Sequence, residues 1–388
     1  MPAMRRVVIA GASFTRVGEH WEKSLGDLVF EAARPLVSAL GGREVDALYI
    51  GNMLSCYSAV QSNLGSYAAD ILGLHDIEAF HVNCAEASGA AAIYQAVLSV
   101  RSGRYDVVIA GGAEKMTDLP YRRAVEGVSL SIDGGLVRRT GATLAGLAAI
   151  MLKEYMRRYG VSKEMITYLS VQDHRHAVTA EHAQFRREIT LKQAMEAPPA
   201  ADPLTVYDVS PLSDGAAFVL VTTEDVARDM GARYVEVAGM GMAVSTLSVI
   251  DRDDMLDFSA TRRACGKALR EAGASIDDVD VLEVNDDFSI TGVLSLEALG
   301  LFEEGQAARM VYEGRTSLGG EKPVNTFGGL KARGHPVGAT GAYQVSEIYL
   351  QLTGGAGANQ VGDPEIGLVH NYGGLDSTTV VIVLRKPT

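Results

Sequence analysis

Cys84, Glu86 and His335 are residues whose types and settings suit chemistry on a polarised carbonyl. The first two lie in the run His81-Val82-Asn83-Cys84-Ala85-Glu86-Ala87-Ser88-Gly89-Ala90-Ala91-Ala92-Ile93-Tyr94-Gln95-Ala96. This reads as a strand end turning sharply into an apolar, Ala-rich helix, because small unbranched residues follow Ser88-Gly89 for several turns. The first N–H groups of such a helix have no partner within it. With the positive end of the helix dipole they stabilise an anion or oxyanion at the turn. A carboxyl placed there can move protons, and a thiol placed there can act as a nucleophile. His335 stands at a second such turn, Gly334-His335-Pro336-Val337-Gly338-Ala339-Thr340-Gly341. Setting Gly89 to Gln95 over Gly338 to Gln344 aligns Gly, Ala, Tyr and Gln positions and lays Glu86 over His335. In a duplicated fold, equivalent turns of two similar halves bring catalytic partners face to face.

Elements that could carry those turns recur along the chain. Val7 to Gly11 reads as a strand, Ser24 to Leu40 has apolar residues at helical spacing, and Val45 to Gly51 is a second strand. A loop from Asn52 to Ser62 leads to a helix ending near Leu72-Gly73, and Asp106 to Gly112 is a further strand. This alternation predicts an α/β fold with a mostly parallel sheet and helices on both faces. Later, Tyr234 to Gly239 resembles the first strand, Thr261 to Ala272 the first helix, and Val279 to Val284 the strand at Val45. With the two Gly-Ala helices, four elements repeat in the same order, as duplication requires. Between the halves, residues 115–205 break the rhythm. They are rich in Arg, His, Met and Gln and read as an insertion carried over the site, the alternative being a separately folded domain. The expected division is 1–114 for the first part of the N-terminal half, 115–205 for the insertion, 206–230 for the return to that half, and 231–388 for the C-terminal half.

Composition excludes several function classes. At 388 residues and 47% hydrophobic content the chain can bury a large core. A net charge of −13 argues against nucleic-acid binding, which wants a basic face. Three cysteines, Cys56, Cys84 and Cys265, without metal-ligand spacing argue against a disulfide framework or a zinc or iron–sulfur centre and for a reducing cytoplasm. Neither a signal peptide nor an apolar run of membrane-spanning length is expected.

Four further stretches carry a family resemblance: Ser213-Asp214-Gly215-Ala216-Ala217, Glu283-Val284-Asn285-Asp286-Asp287-Phe288, the run Gly334 to Gly341, and His370-Asn371-Tyr372-Gly373-Gly374. Together they resemble the thiolase superfamily, and within it the archaeal-type and sterol-carrier-protein-type thiolases. Gly111 to Thr117 and Phe185-Arg186-Arg187-Glu188-Ile189-Thr190 fit that branch too, and the likeness runs from about Val7 to Leu384. It implies a duplicated five-layered αβαβα fold with an inserted loop domain, an acyl-coenzyme A thioester as substrate, no permanently bound cofactor, and at least a homodimer. Relatives of this branch often work with a small zinc-ribbon/OB-fold subunit, which the resemblance offers as a partner here.

Two departures fall where chemistry happens. The family has Cys-Ala-Ser-Gly at the first turn, and its nucleophilic Cys is replaced here by Glu86; where many members have His-Asp-Cys-Phe, this chain has Asn285-Asp286-Asp287-Phe288. Three readings follow. The chain does retro-aldol or retro-Claisen carbon–carbon chemistry without an acyl-enzyme, with Glu86 or Asp287 taking a proton. Or Cys84 supplies a displaced thiolate and preserves thiolytic acyl transfer. Or the chain is a non-catalytic scaffold, against which stands the joint retention of Asn285, His335 and His370. The resemblance assigns Asn285 and His335 to the substrate oxygen, and His370 to a place beside Gly373, whose N–H would join that of Glu86 in a second oxyanion hole. Arg186, Arg187, Lys331 and Arg333 are candidates for the coenzyme A phosphates.

Overall fold

A computed structural model describes residues 5–387. Its strands are β1 (Val7–Phe14), β2 (Ala47–Gly51), β3 (Glu78–Val82), β4 (Val107–Glu114), β5 (Pro199–Ala201), β6 (Leu204–Thr205), β7 (Gly215–Thr223), β8 (Val235–Val244), β9 (Val281–Val284), β10 (Ile366–Gly373) and β11 (Thr378–Arg385). All but β5 and β6 share one sheet in the order β3-β2-β4-β7-β1-β8-β11-β10-β9.

That order is nearly symmetric about the antiparallel β1–β8 contact. On one side β1 pairs with β7 and β7 with β4, both antiparallel, and β4 with β2 in parallel. On the other, β8 pairs with β11 and β11 with β10, both antiparallel, and β10 with β9 in parallel. The parallel β2–β3 pair is matched by only a lone parallel bridge, Leu282 to Val324. The expected mostly parallel sheet is therefore corrected to a mixed one. The last strand of each half returns antiparallel between its neighbours, and alternation of strands with helices carries no sign of that reversal.

Local sequence accounts for the elements around this sheet. The helix Leu25–Ala39 starts at a capping box, in which Ser24 Oγ accepts the Asp27 N–H and the Asp27 carboxylate accepts the Ser24 N–H. Its buried stripe, Leu25, Leu28, Val29, Ala32 and Leu36, covers one face of the first half with Leu64, Leu72 and the inner residues of β2 and β4. A second core joins the halves: the helix Ser88–Arg101 gives Ala90, Ile93 and Val97, and the helix Thr340–Thr353 gives Ala342, Tyr343 and Ile348. A third packs the helix Ser259–Ala272 and the helix Ser289–Ala298 against the second half, and Leu144, Leu152, Tyr155 and Ile166 of the insertion belong to it. The two halves of the one sheet thus enclose the central helix pair and carry the other helices on their outer faces, in the sequence helix, half-sheet, helix, half-sheet, helix. Residues 115–205 bury Leu144, Leu152, Tyr155 and Ile166 in the core of the second half and close a small cluster of Val171, Ile189 and Ala194 among themselves.

The central helices begin against each other backbone to backbone. A Cβ on Gly89 would sit 2.9 Å from the Gly338 carbonyl oxygen, and one on Gly112 would sit 2.5 Å from the same atom and 2.9 Å from Ala339 Cα. Main-chain atoms cannot rotate away, so Gly112→Ala is expected to destabilise the protein by about 1–3 kcal/mol, the usual range for overpacking. Gly362→Ala, with nothing within 4 Å of the added carbon, should be near neutral. Urea denaturation of both variants checks the pair.

Candidate active site

The turn after β3 is held by its own side chains. Asn83 Oδ1 accepts the Ala85 N–H at 3.1 Å, while Ser88 Oγ accepts the Cys84 N–H at 2.9 Å and donates to the Ala85 carbonyl at 2.5 Å. This bends Ala85 into the left-handed region at φ 55°, a strained conformation for a residue with a Cβ. The bend carries Glu86 inward to 2% exposure at the start of the Ser88–Arg101 helix, whose N-terminus has no side-chain cap. Glu86 Oε1 faces Ser131 Oγ at 2.9 Å and Oε2 accepts the Gly374 N–H at 2.9 Å. Burial, helped by the charge of Asp287, pushes its carboxyl up to about 7 against the pull of these donors. A group so poised exchanges a proton near neutrality.

Asp287 is the second carboxyl. Its Oδ1 accepts from the Tyr372 hydroxyl in a short hydrogen bond, from Thr291 Oγ1 at 2.7 Å and from the Phe288 N–H at 3.1 Å. Its Oδ2 has no hydrogen bond recorded, the residue is 5% exposed, and burial raises its pKa. Tyr372 is a site residue that the sequence reading missed.

His335 and Asn285 each keep one buried polar atom without a partner. His335 Nδ1 lies 2.7 Å from Thr340 Oγ1, its main-chain N–H donates to Ser213 Oγ at 3.0 Å, and Nε2 is free. Burial and the nearby Arg333 charge lower its pKa to about 3, so the ring is neutral. If the Thr340 hydroxyl donates to Nδ1, the ring proton is on Nε2 and that nitrogen is a donor. Asn285 Oδ1 accepts from Asn371 Nδ2 at 2.9 Å, which leaves Nδ2 free. Buried donors are almost always satisfied, and two left open at the substrate-oxygen positions of the pattern suit a ligand oxygen.

Several sequence-derived assignments change. His370 has both ring nitrogens engaged, Nε2 with Thr261 Oγ1 at 2.9 Å and Nδ1 as acceptor of the Asn285 N–H at 3.4 Å. It positions Asn285 and offers nothing to a substrate. Lys331 is 2% exposed and bound to Asp286; Arg333 is fully buried, 3.2 Å from Glu347 and against the Tyr343 ring. Neither can meet a solvated phosphate, whereas Arg186 and Arg187 are exposed. Gly373 lies on the turn itself, where a Cβ would be 2.6 Å from the Cys84 carbonyl oxygen. Cys84 is half-buried and burial raises its thiol pKa, which disfavours the thiolate a nucleophile needs. A third buried carboxyl, Glu114, which the sequence reading missed, accepts N–H groups of Met53, Leu54 and Gly338 and an amide proton of Asn52, pinning the loop after β2 to the His335 turn. A cleft of about 470 Å³ lined by Arg233, Tyr234, Gln351 and Lys386 holds none of these residues. Cavity size does not locate the chemistry. Among the described residues no cluster of His, Cys, Asp and Glu could hold a metal ion, and no helix is long and apolar enough to cross a membrane.

Comparison with known proteins matches this arrangement to one family over nearly its whole length. Residues 7–225 match the thiolase N-terminal domain and residues 241–386 the thiolase C-terminal domain-like family. The chain belongs to the thiolase superfamily. It is 38% identical to an acetyl-CoA acetyltransferase of Methanothermobacter thermautotrophicus over 99% of this chain and 100% of that protein. It is 30% identical to human sterol carrier protein 2 over 99% of this chain and 72% of that one. A solved structure described as an Ltp2-ChsH2(DUF35) aldolase shares the fold, with a TM-score of 0.84 at 22% identity and 98% coverage of both chains. The chain is thus an enzyme of the thiolase superfamily.

The Glu86 carboxyl has a thermodynamic signature. With an ordinary value of 4.5 and a folded value of about 7, Glu86 contributes stability that is fully present below about pH 4.5 and lost as the pH rises through about 7. The loss is on the order of 3 kcal/mol. Glu86→Gln removes it, so the Tm of this variant relative to the parent is expected to rise between pH 5 and pH 8. Parallel thermal melts across that range check the slope.

Proposed function

We propose that this enzyme makes or breaks a carbon–carbon bond in a 3-hydroxyacyl- or 3-oxoacyl-coenzyme A without forming an acyl-enzyme. The observation that carries this reading is Glu86 itself, a buried carboxyl with a pKa near neutrality where the family's attacking thiol would be. In the retro-aldol direction the ionised Asp287, with Oδ2 unengaged, takes the proton of the 3-hydroxyl. The C2–C3 bond breaks, the new carbonyl leaves, and the electron pair passes into the thioester enolate. His335 Nε2–H and Asn285 Nδ2–H hold the substrate oxygen on which charge changes, and protonated Glu86 delivers a proton to C2. Asp287 returns its proton to water and Glu86 regains one, so the cycle closes without an external oxidant or reductant. Donors aimed at developing charge in a dry site are worth more than the same donors in water. Arg186 and Arg187 are the exposed cations for the coenzyme A phosphates.

A second reading rests on the 38% identity to an acetyl-CoA acetyltransferase: Cys84 attacks the carbonyl from two residues upstream and the reaction is thiolytic acyl transfer. Variants separate the two. On the non-covalent reading Cys84→Ala retains most activity, whereas His335→Ala, Glu86→Ala and Asp287→Ala each lose on the order of 10²-fold or more. Loss of turnover in Cys84→Ala, with an acyl adduct on that residue in mass spectra after brief exposure to a 3-oxoacyl-coenzyme A, would establish the second. Failure of acetyl-, acetoacetyl- and longer acyl-coenzyme A esters to bind in calorimetry, with or without a partner, would leave a scaffold.

We also propose a cytoplasmic homodimer carrying a second, small zinc-ribbon/OB-fold polypeptide. The support is the description of the structural neighbour, which names Ltp2 together with ChsH2(DUF35). Co-purification from the native source followed by native mass measurement is expected to show the extra subunit; a pure homodimer with full activity would count against it.

A further inference from the structure

Ser131 belongs to the insertion, is the last residue of a short helical turn, and is 7% exposed. Its hydroxyl oxygen lies 2.9 Å from Glu86 Oε1 and 2.9 Å from the Val128 carbonyl oxygen. A hydroxyl has one proton and lone pairs to accept with, while a carbonyl can only accept. The two contacts therefore have two consistent arrangements. With Glu86 ionised, Ser131 donates to Oε1. With Glu86 protonated, Ser131 turns its proton to Val128 and accepts the proton carried on Oε1. Neither state leaves a buried group unsatisfied, which would otherwise be costly. The position is rigidly set, because the Ser131 carbonyl lies on Gly374 with no room for a Cβ there, and the Gly374 N–H holds the other Glu86 oxygen.

We infer that Ser131 is a positioning residue that lets Glu86 act as both acid and base, its hydroxyl rotating between Val128 and Glu86 as the carboxyl gains and loses its proton. Ser131 keeps its own proton throughout; only the Glu86 proton is exchanged with substrate or water. This rests on the proposed acid–base role of Glu86. Donation to a carboxylate is charge-assisted and the stronger of the two arrangements, so the net effect of Ser131 is to favour ionised Glu86. The other titratable groups around the carboxyl are Asp287 after β9, Tyr372 on β10, which donates to Asp287, and Cys84 on the same turn. Asp376, in the turn after β10, is turned to Thr261 and Thr379.

Difference infrared titration of the intact protein reads Glu86 directly, through the protonated-carboxyl band lost in Glu86→Gln. In Ser131→Ala the midpoint of that band is expected to move up by about one pH unit or more, and Ser131→Thr should restore it. The pH profile of kcat should move in the same direction, with kcat reduced about tenfold and KM little changed. An unmoved midpoint in folded Ser131→Ala would overturn the inference even if Glu86→Gln is inactive. If Glu86→Gln is fully active while the midpoint moves as expected, the catalytic reading fails and the proton coupling stands. A fold defect alone would alter the melting curve without moving the midpoint, and would overturn the inference as well.

Discussion

The end of one strand holds the site together. In five consecutive residues, His370 accepts the Asn285 N–H, Asn371 donates to the Asn285 side chain, Tyr372 donates to Asp287, Gly373 lies against the Cys84–Glu86 turn, and the Gly374 N–H holds Glu86. β10 is itself paired on both sides, with β9 and β11, so these residues cannot move independently. Alternate side chains of a strand point to opposite faces, which lets one strand end reach the second half through His370 and Tyr372 and the interface between halves through Asn371. Gly341, beside the Thr340 that fixes His335, lies against the Asn371 side chain. The imidazole and the two carboxyls thus refer to a single rigid line.

The electrostatics follow from burial more than from pairing. Burial raises both carboxyls; the charge of Asp287 raises Glu86 further, while Asp287 is eased by its hydrogen bonds from Tyr372 and Thr291 and by the Lys331 charge. The nearest buried cation in the sequence around Asp287, Lys331, is spent on Asp286. Two carboxyls buried in one pocket resist being charged together, which favours a proton staying on one of them. A thiolate at the same place would meet the same desolvation, as the raised pKa of Cys84 records.

Duplication and the two turns that bear Glu86 and His335 were legible because each depends on contiguous residues: Gly-Ala runs, short apolar strands, and an ionisable group at a fixed offset from them. Tyr372 and Ser131 were not, since they meet Asp287 and Glu86 across long separations with no periodicity to announce the contact. Lys331 and Arg333 misled because charge in a glycine-rich stretch reads as surface. Each is buried against a carboxylate, Asp286 and Glu347, that lies elsewhere in the chain. His370 was assigned to a place beside Gly373 in a second oxyanion hole, whereas both its ring nitrogens are engaged with Thr261 and the Asn285 N–H. The sheet was misjudged for a related reason: whether a strand returns parallel or antiparallel, as β7 does after a long segment and β11 after a short turn, is not marked in the alternation of strands and helices.

The contact between the starts of the two central helices has a further meaning. Gly89 and Gly112 rest on the Gly338 carbonyl through main-chain atoms, so the spacing of the two catalytic turns is fixed by van der Waals radii instead of by the fit of variable side chains. Residues in the outer helical layers can then be exchanged, and stability tuned, without altering that spacing. Such a fold separates the part that drifts from the part that measures distance, and a change of chemistry needs only a new side chain at a turn whose position is already given.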